Sequence, residues 1–329
     1  MNPHAPTNID LSIIVPIDLS RRSKEIYSRA LGLARRFDGT GIKLIFGCSV
    51  QPARWFTKLS KALSAYSHVR IAAVDQSESH LAKLRNVALA QVTTTYVMFL
   101  DVDIYPELTQ IQQALSEVCQ SPHQMCMYPC LYLSARGSKK LGRVPVTDFR
   151  DYYYQFKREW ILHLAFPSSI IICDMKSVNE IKGFDPLYVG HGYEDFDFMI
   201  RLFLHKQLIS PQPKLHIDEP YMAPLMATGF RAMLAQAQLQ QLLGQLYFVH
   251  DYHGKDKQEN YYQLRAKNQT RFKQKMVELE QNTISEYQSN PLELLSEFFT
   301  LLSQHKKIPS EYSALWAEIP GHLFRRKWF

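Results

Sequence analysis

Cysteine is scarce in this sequence, and its arrangement excludes two common structural roles. Only five cysteines occur in 329 residues, and an odd, scattered set does not suit a disulfide framework. Cys126 and Cys130 form a pair without a second pair, so a structural zinc site is not expected. We therefore expect reduced thiols in a cytoplasmic protein.

Long hydrophobic runs are absent as well. No segment reaches the roughly 18 consecutive apolar residues of a transmembrane helix. The first apolar run, residues 11–17, is too short for the core of a signal peptide. Any membrane attachment is therefore expected to be peripheral, at the inner face of the plasma membrane. The basic, aromatic segment 324–329 suits an anionic bilayer surface, although packing of Trp328 on the domain explains it equally well.

Nucleic-acid motifs are the third absence. The net charge of +7 suits a phosphate-bearing ligand or an anionic surface. The sequence contains no helix-turn-helix, zinc-finger or RNP motif. We therefore expect no nucleic-acid partner.

Alternating strand-like and helix-like segments fill the first third of the chain. Apolar, β-prone runs predict strands at residues 11–16, 42–46, 69–74 and 96–100, with helical spacing of apolar residues between them. This alternation predicts an α/β fold with right-handed βαβ units and a mainly parallel sheet. Beyond residue 106 the predictions are strands at 125–133, 168–173, 215–218 and 245–250, a helix at 228–243, and mostly helix from 258.

The strand at residues 96–100 ends in two carboxylates, Asp101 and Asp103. In open α/β sheets, ligands bind beyond the carboxyl ends of the strands. Two acids there offer hard oxygen ligands to a divalent cation that carries a phosphate. The alternative is that they only cap the helix that begins near Pro106.

A second acidic pair, Glu194 and Asp195, opens a predicted helix after Gly192 and Tyr193. Adjacent acids cannot both point the same way, so one would act on the chemistry as a base and the other would hold the substrate. The alternative is an ordinary preference for acids in the first turn of a helix.

Two histidines, His250 and His253, follow a predicted strand and stand three residues apart. Both imidazoles reach one point if the chain turns between them. Histidine is the commonest metal ligand, but such residues also occur simply at the surface or in the core. A mixed site of carboxylates and imidazoles suits Mn²⁺ better than Ca²⁺.

Together these segments resemble the glycosyltransferases of family 2 and their relatives with the GT-A fold. Four motifs occur in the same order: Ile14-Val15-Pro16, Arg85-Asn86, Asp101-Val102-Asp103, and Gly183-Phe184-Asp185 followed by Gly192 to Asp197. The resemblance covers residues 11–270. It implies a Rossmann-like nucleotide-sugar-binding half over residues 1–105, an acceptor- and metal-binding half over 106–270, and a helical extension over 271–329.

The second half is similar to the C-terminal region of animal β-1,4-galactosyltransferases and bacterial chondroitin-type polymerases. In those proteins two metal ligands three residues apart precede an Asp/Arg-Lys, an Asn and a late Arg-Phe. The segment from His250 through Asp256-Lys257 to Asn260, and then Arg271-Phe272, matches that layout. This chain departs from the pattern at Tyr193, where that group has a glycine, and at His250, where the animal enzymes have a methionine.

The resemblance implies a role for five residues on the donor side. Pro16 and Asp75 would line the nucleoside pocket, and Arg85 would lie near the nucleotide or its phosphates. Asp101 would approach the ribose or the metal, with Val102 beside it in the donor-binding set.

The resemblance also implies the metal and catalytic residues. Asp103 would ligate Mn²⁺ (or Mg²⁺) directly, His253 would be the second protein ligand, and His250 would stand in the position of a third. Asp195 would be the catalytic base, and Glu194 would hold sugar hydroxyls of acceptor or donor.

The implied activity is inverting, metal-dependent transfer from a UDP-sugar to a saccharide or lipid-linked saccharide, in bacterial capsule or other surface polysaccharide synthesis. One alternative is a nucleotidyltransferase that makes the sugar nucleotide. Those enzymes usually have a glycine-rich loop after the first strand, and no glycine occurs between Pro16 and Arg22. The other alternative is a non-catalytic partner protein that keeps the fold for binding.

Overall fold

A computed structural model describes residues 10–76, 79–190, 192–211, 214–219, 223–254, 259–281 and 291–317. Within these residues the strands are β1 (Leu11–Ile17), β2 (Lys43–Ser49), β3 (Val69–Val74), β4 (Tyr96–Phe99), β5 (Met125–Met127), β6 (Cys130–Leu133), β7 (Ile161–Ala165), β8 (Ile171–Asp174) and β9 (Phe248–His250). The helices are α1 (Ser23–Arg36), α2 (Ala53–Leu63), α3 (Leu81–Leu89), α4 (Leu108–Gln120), α5 (Ala135–Ser138), α6 (Thr147–Tyr154), α7 (Met175–Glu180), α8 (Glu194–His205), α9 (Gly229–Gln236), α10 (Glu259–Gln281) and α11 (Pro291–Gln304). Short 3₁₀ helices form at Pro224–Met226, Leu239–Leu242 and Pro309–Leu315.

The chain divides into two compact units, each made of separate segments. The first comprises the described residues of Met1–Cys126, Ser169–Lys206 and Gly254–Arg271. The second comprises those of Met127–Ser168, Gln207–His253 and Phe272–Phe329.

A six-stranded sheet in the order β3-β2-β1-β4-β8-β5 carries the first unit. The strands β3, β2, β1 and β4 are parallel neighbours, and β8 joins β4 antiparallel. Every residue of β1 is buried, which is the pattern of a central parallel strand covered on both faces. The predicted α/β class with a mainly parallel sheet is therefore confirmed.

A close approach between β2 and α3 fixes the helix against the sheet. A Cβ atom added at Gly47 would lie 1.8 Å from the backbone carbonyl oxygen of Leu84. Only glycine permits this spacing. The approach sets the position of α3, which carries Arg85 and Asn86.

A three-stranded sheet in the order β7-β6-β9 lies in the second unit. Strand β6 pairs antiparallel with β7 and parallel with β9, so Tyr132 lies opposite His163 on one side and His250 on the other. Aromatic contacts hold the helices of this unit, such as Phe230 with Phe272, whose ring centroids are 4.8 Å apart.

Three of the predicted elements differ from the structure. The run at residues 125–133 is two strands in different sheets, because Pro129 lacks the N–H that a continuing ladder needs. The strand predicted at 215–218 is wrong: the chain turns there, and the His216 backbone N–H donates to the Glu280 carboxylate at 3.1 Å. The helix predicted at 228–243 ends at Gln236 and resumes as a 3₁₀ turn.

No helix formed by the described residues is long and apolar enough to cross a bilayer. The segment 324–329, for which membrane contact was predicted, lies outside those residues. So does the predicted Asp256-Lys257 pair.

Candidate active site

Arg85 joins two of the predicted motifs within the first unit. Its buried guanidinium donates from Nη1 to Oε1 of Glu194 at 2.9 Å and from Nη2 to Oδ1 of Asp101 at 3.0 Å. Burial alone would lower the pKa of Arg85, but the carboxylates of Asp101, Glu194 and Asp195 outweigh it and raise the pKa above its ordinary value. Arg85 is therefore a permanent cation between the acid after β4 and the acids that open α8.

Asn86, next to Arg85, joins the helix α3 to the Gly-Phe-Asp motif. Its side-chain amide donates to the backbone carbonyl of Phe184 at 2.8 Å, and its Oδ1 accepts the Phe184 backbone N–H at 2.9 Å. Gly183 precedes this contact with φ of +62°, and a Cβ there would lie 2.8 Å from Asn86 Oδ1. These contacts hold the Gly-Phe-Asp turn against α3.

Glu194 is the most strongly perturbed acid of the site. The residue is 4% exposed, and its Oε2 accepts no hydrogen bond from the described residues. Burial, reinforced by the neighbouring Asp195 carboxylate and opposed by Arg85, raises the pKa of Glu194 to about 7. A carboxyl group that titrates near neutrality can accept or donate a hydrogen bond to a sugar hydroxyl.

Asp195 lies in the first turn of α8 and faces a small pocket of the first unit. Arg85, Ser169 and Phe184 line this pocket together with Asp195. The Asp195 Oδ1 accepts the backbone N–H of Phe196 at 2.9 Å. One oxygen is therefore held by the backbone, which orients the carboxylate as a base requires.

The turn before α8 has an unusual backbone. Gly192 has φ of +86°, and Tyr193 has φ of +74°, a left-handed conformation that glycine adopts at least cost. The glycine of the galactosyltransferase pattern suits this position. Here the Tyr193 ring is buried instead, with the Arg265 guanidinium 5.1 Å from its centroid.

The two acids after β4 differ in exposure and partners. The Asp101 side chain is one-third exposed, and besides Arg85 it accepts the Ser169 hydroxyl at 3.4 Å. Asp103 is buried and accepts hydrogen bonds from Arg22 and Arg29. Neither caps the following helix, because the residue at the N-cap of α4 is Glu107, so the capping alternative is wrong.

The Asp103 carboxylate already contacts two cationic side chains. An ionised carboxylate offers about four lone-pair sites. Arg22 contacts both oxygens of Asp103, at 3.3 and 2.8 Å, and Arg29 contacts Oδ1. A metal ion that binds this carboxylate must therefore share its oxygens with the two arginines.

The remaining donor-side residues follow the ends of neighbouring parallel strands. Pro16 is buried in β1 opposite Gly47, and the buried Val102 follows β4. Asp75 follows β3 with an exposed side chain, and its backbone carbonyl accepts the Lys83 ammonium at 3.4 Å. The carboxyl ends of β1, β3 and β4 lie at one edge of the sheet. Their predicted contacts with a nucleotide remain predictions.

The two predicted histidine ligands belong to the second unit. His250 ends β9 with 7% of its surface exposed, and its ring stacks on Tyr132 with centroids 4.2 Å apart and an interplanar angle of 15°. Tyr132 stacks in the same way on His163, at 4.3 Å. The His253 ring lies 5.3 Å from that of His250. The two imidazoles are therefore close enough to serve one ion, and stacking fixes the plane of the His250 ring.

Sequence reasoning missed four residues of these arrangements: Arg22, Arg29, Tyr132 and Ser169. Arg29 lies in α1, and Arg22 is the residue just before the helix, seven positions earlier. That spacing was a visible signal, but nothing in it identified Asp103 as the partner. Tyr132 and Ser169 carried no signal, since each acts through tertiary contact alone.

Comparisons with known proteins bear on the identity of the chain. The model of the family described as "Glycosyltransferase like family 2" matches residues 12–277. The pre-mycofactocin glycosyltransferase of Mycobacterium tuberculosis is 23% identical over 209 residues, which covers 61% of this chain and 40% of that protein. The chain thus spans well under half the length of the curated relatives it matches.

Two solved structures match most of the chain at low sequence identity. Staphylococcus aureus TarS 1–349 in complex with UDP-GlcNAc is 15% identical, with 89% of this chain and 72% of that chain covered and a TM-score of 0.44. The mannosyltransferase PcManGT of Pyrobaculum calidifontis in complex with GDP-Man and Mn²⁺ is 12% identical, with 99% and 81% covered and a TM-score of 0.44.

The family match covers far more than half of the chain and includes all but the first residue of β1, together with Arg85, Asp101 to Asp103, α8 and both histidines. The resemblance predicted from the motifs is therefore confirmed at the level of the family. The chain belongs to the glycosyltransferases of family 2, and its fold is α/β with a mainly parallel central sheet.

Proposed function

We propose that this protein is an inverting, divalent-metal-dependent glycosyltransferase that moves a sugar from a UDP-sugar to a saccharide acceptor. The observation that best supports this proposal is that Arg85 binds both Asp101 and Glu194, while Asp195, next to Glu194, faces a pocket. The proposed base, a charged anchor and a partly exposed carboxylate thus belong to one unit, and group transfer from a phosphate ester needs groups of these kinds.

The donor would occupy the carboxyl edge of the parallel sheet. Pro16 and Asp75 would flank the nucleoside, and Asp101 would approach the ribose or the metal, with Val102 beside it in the donor-binding set. Ligands of open α/β sheets bind at this edge. The resemblance to the family assigns nucleotide-sugar binding to residues 1–105, acceptor and metal binding to 106–270, and a helical extension to 271–329, with Asp103 of the first segment as a further proposed metal ligand.

The proposed metal ligands are Asp103, His253 and His250. One carboxylate and two imidazoles form a ligand set that suits Mn²⁺, with Mg²⁺ as the alternative. When bound, the ion would neutralise the negative charge that develops on the leaving diphosphate. The stacking of His250 on Tyr132 supports this assignment, because metal-binding imidazoles need a fixed orientation.

Asp195 would act as the base. Its carboxylate takes the proton of the acceptor hydroxyl while the oxygen of that hydroxyl forms a bond to the anomeric carbon. The bond between that carbon and the β-phosphate oxygen breaks, and UDP leaves with the electron pair. One displacement inverts the anomeric centre, so an α-linked donor gives a β-linked product.

Glu194 would hold sugar hydroxyls, and Arg85 would hold Glu194. The pKa of Glu194 near 7 lets this carboxyl group donate or accept a hydrogen bond at the pH of the cell. The acceptor is proposed to be a saccharide or a lipid-linked saccharide of a bacterial capsule or other surface polysaccharide.

A screen of nucleotide sugars tests this proposal. The chain is incubated with each donor and a panel of saccharide acceptors, with Mn²⁺, with Mg²⁺ or with EDTA, and release of free nucleotide is measured. We expect release from a UDP-sugar that EDTA abolishes. Release of pyrophosphate from UTP and a sugar phosphate would instead indicate a nucleotidyltransferase, and UDP binding without turnover of any donor would indicate a binding protein.

A further inference from the structure

Asp103 belongs to a cluster of four charged residues within the first unit. Arg22 donates from Nη2 to Asp103 Oδ2 at 2.8 Å and from Nη1 to Oδ1 at 3.3 Å, and Arg29 donates from Nη1 to Oδ1. Glu25 lies between the two arginines, 3.2 Å from Arg22 Nη1 and 2.7 Å from Arg29 Nη2. Two guanidinium groups therefore converge on one carboxylate, and a second carboxylate holds them together.

The cluster is largely removed from solvent. The side chains of Arg22 and Arg29 are each 15% exposed and that of Asp103 is 8% exposed. The Arg22 Nε is buried and makes no hydrogen bond with the described residues. Two cations in such a place need anionic partners, because unpaired buried charge is costly.

The backbone at Arg22 is arranged for this contact. Arg22 stands at the N-cap of α1 in a left-handed conformation, with φ of 39° and ψ of 38°, and its side chain does not cap the helix. Strain of this kind in a residue other than glycine persists where the surrounding structure requires it. Here it accompanies the paired contact of the guanidinium with Asp103.

The position of the cluster is the ligand-binding edge of the sheet. Arg22 lies in the connection after β1, and Asp103 lies just after β4, the parallel neighbour of β1. A guanidinium group binds carboxylates and phosphates with the same two-pronged geometry. The site that Arg22 and Arg29 form around the Asp103 carboxylate therefore also fits a phosphate group.

We propose that Arg22 and Arg29 form an anion seat that Asp103 fills when no donor is bound and that a diphosphate takes over when the donor binds. This inference rests on the proposed function, in which Asp103 is a metal ligand. A cation that arrives alone must compete with two arginines for the Asp103 oxygens. A diphosphate engages the arginines and leaves Asp103 to the cation, so each ligand strengthens the binding of the other.

The test measures Mn²⁺ affinity of the full chain by electron paramagnetic resonance, with and without UDP. We compare the wild type with Arg29→Gln and, as a matched control, with Arg35→Gln, which changes an exposed arginine of the same helix. Without UDP we expect Arg29→Gln to bind Mn²⁺ about tenfold more tightly than the wild type, an effect of ordinary size for coupled sites. The gain in Mn²⁺ affinity that UDP causes should shrink by a similar factor, and Arg35→Gln should match the wild type in both.

Two further variants separate this inference from the proposed function. Asp103→Asn should lose most Mn²⁺ binding in both conditions; if it does not, the proposed metal ligand is wrong and the anion seat fails with it. If Asp103→Asn loses Mn²⁺ while Arg29→Gln behaves as the wild type in affinity and in the response to UDP, only the anion seat is overturned. Arg22→Gln, which removes the paired contact, gives the same comparison should Arg29→Gln not fold.

Discussion

Arg85 and Glu194 stand 109 residues apart in the sequence and form an ion pair of 2.9 Å whose side chains are each only 6% exposed. The pair connects α3 to α8 and so fixes the first turn of the helix that carries Asp195. A buried pair of this kind need not add to stability, because desolvation offsets attraction. Its effect is to hold the carboxyl group of Glu194 in one place.

The first prediction concerns the pH dependence of stability. The pKa of Glu194 lies at about 7 in the folded protein against 4.5 as the ordinary value, so between those values the folded state binds more protons than the unfolded state. The contribution of Glu194 to the free energy of unfolding is therefore complete below pH 4.5 and declines as the pH rises towards 7. We measure the free energy of unfolding by denaturant at pH 5 and at pH 8. Between these values it should fall in the wild type by at most about 3 kcal/mol more than it does in Glu194→Gln.

A matched control for this measurement is Glu311→Gln, which changes an exposed carboxylate in the 3₁₀ helix Pro309–Leu315. It should leave the wild-type pH profile in place. Parallel profiles for the wild type and Glu194→Gln would show that Glu194 does not titrate in this range.

The second prediction concerns Asp195 as the base. Asp195→Asn keeps the size of the side chain but cannot accept the proton, so the turnover rate should fall by about 10²- to 10⁴-fold. The dissociation constant of UDP should stay within about twofold, since the proposed base acts on the acceptor. Asp151→Asn, which changes an exposed carboxylate of α6, is the control. Equal turnover in both variants would exclude Asp195 as the base.

The third prediction concerns the stack of rings around His250. Replacing Tyr132 by leucine removes the surface on which the His250 ring lies, and Mn²⁺ affinity should fall about tenfold, as for other residues that orient a metal ligand. Tyr132→Phe keeps the ring and should retain the wild-type affinity. Calorimetric titration with Mn²⁺ distinguishes the two, and equal affinity of the leucine and phenylalanine variants would contradict an orienting role.

The fourth prediction concerns the contact between β2 and α3. Gly47→Ala places a methyl group 1.8 Å from the carbonyl oxygen of Leu84, so either the helix or the strand must shift. We expect a loss of about 3 kcal/mol in the free energy of unfolding. Gly32→Ala in α1 meets no atom within 4 Å and should stabilise the protein by up to about 1 kcal/mol. A Gly47→Ala variant as stable as the wild type would show that this spacing is not needed.

The parallel half of the fold was predictable because a local sequence pattern indicates each of its strands and helices. Strands β1 to β4 are apolar runs, their helices have apolar residues at helical spacing, and the acids after β4 interrupt an otherwise hydrophobic segment. The motif order then predicted the family. These signals depend on neighbouring residues, which a single sequence shows directly.

The features that escaped prediction depend on contacts between distant parts of the chain. Arg22 and Asp103 are 81 residues apart, and no pattern in either segment indicates that the two side chains are in contact. The turn at residues 214–219 is held by the Glu280 carboxylate rather than by a sheet, so its apolar residues resembled a strand without forming one. The left-handed Tyr193 is likewise held by the packing of its ring, not by its own conformational preference.

The division of the chain into interleaved segments limits how it can be taken apart. The polypeptide passes from one unit to the other after residues 126, 168, 206, 253 and 271, so each unit is assembled from three pieces. No single protease cut and no single stop codon can release either unit whole. A gene fusion would therefore have to carry both units together to keep either of them intact.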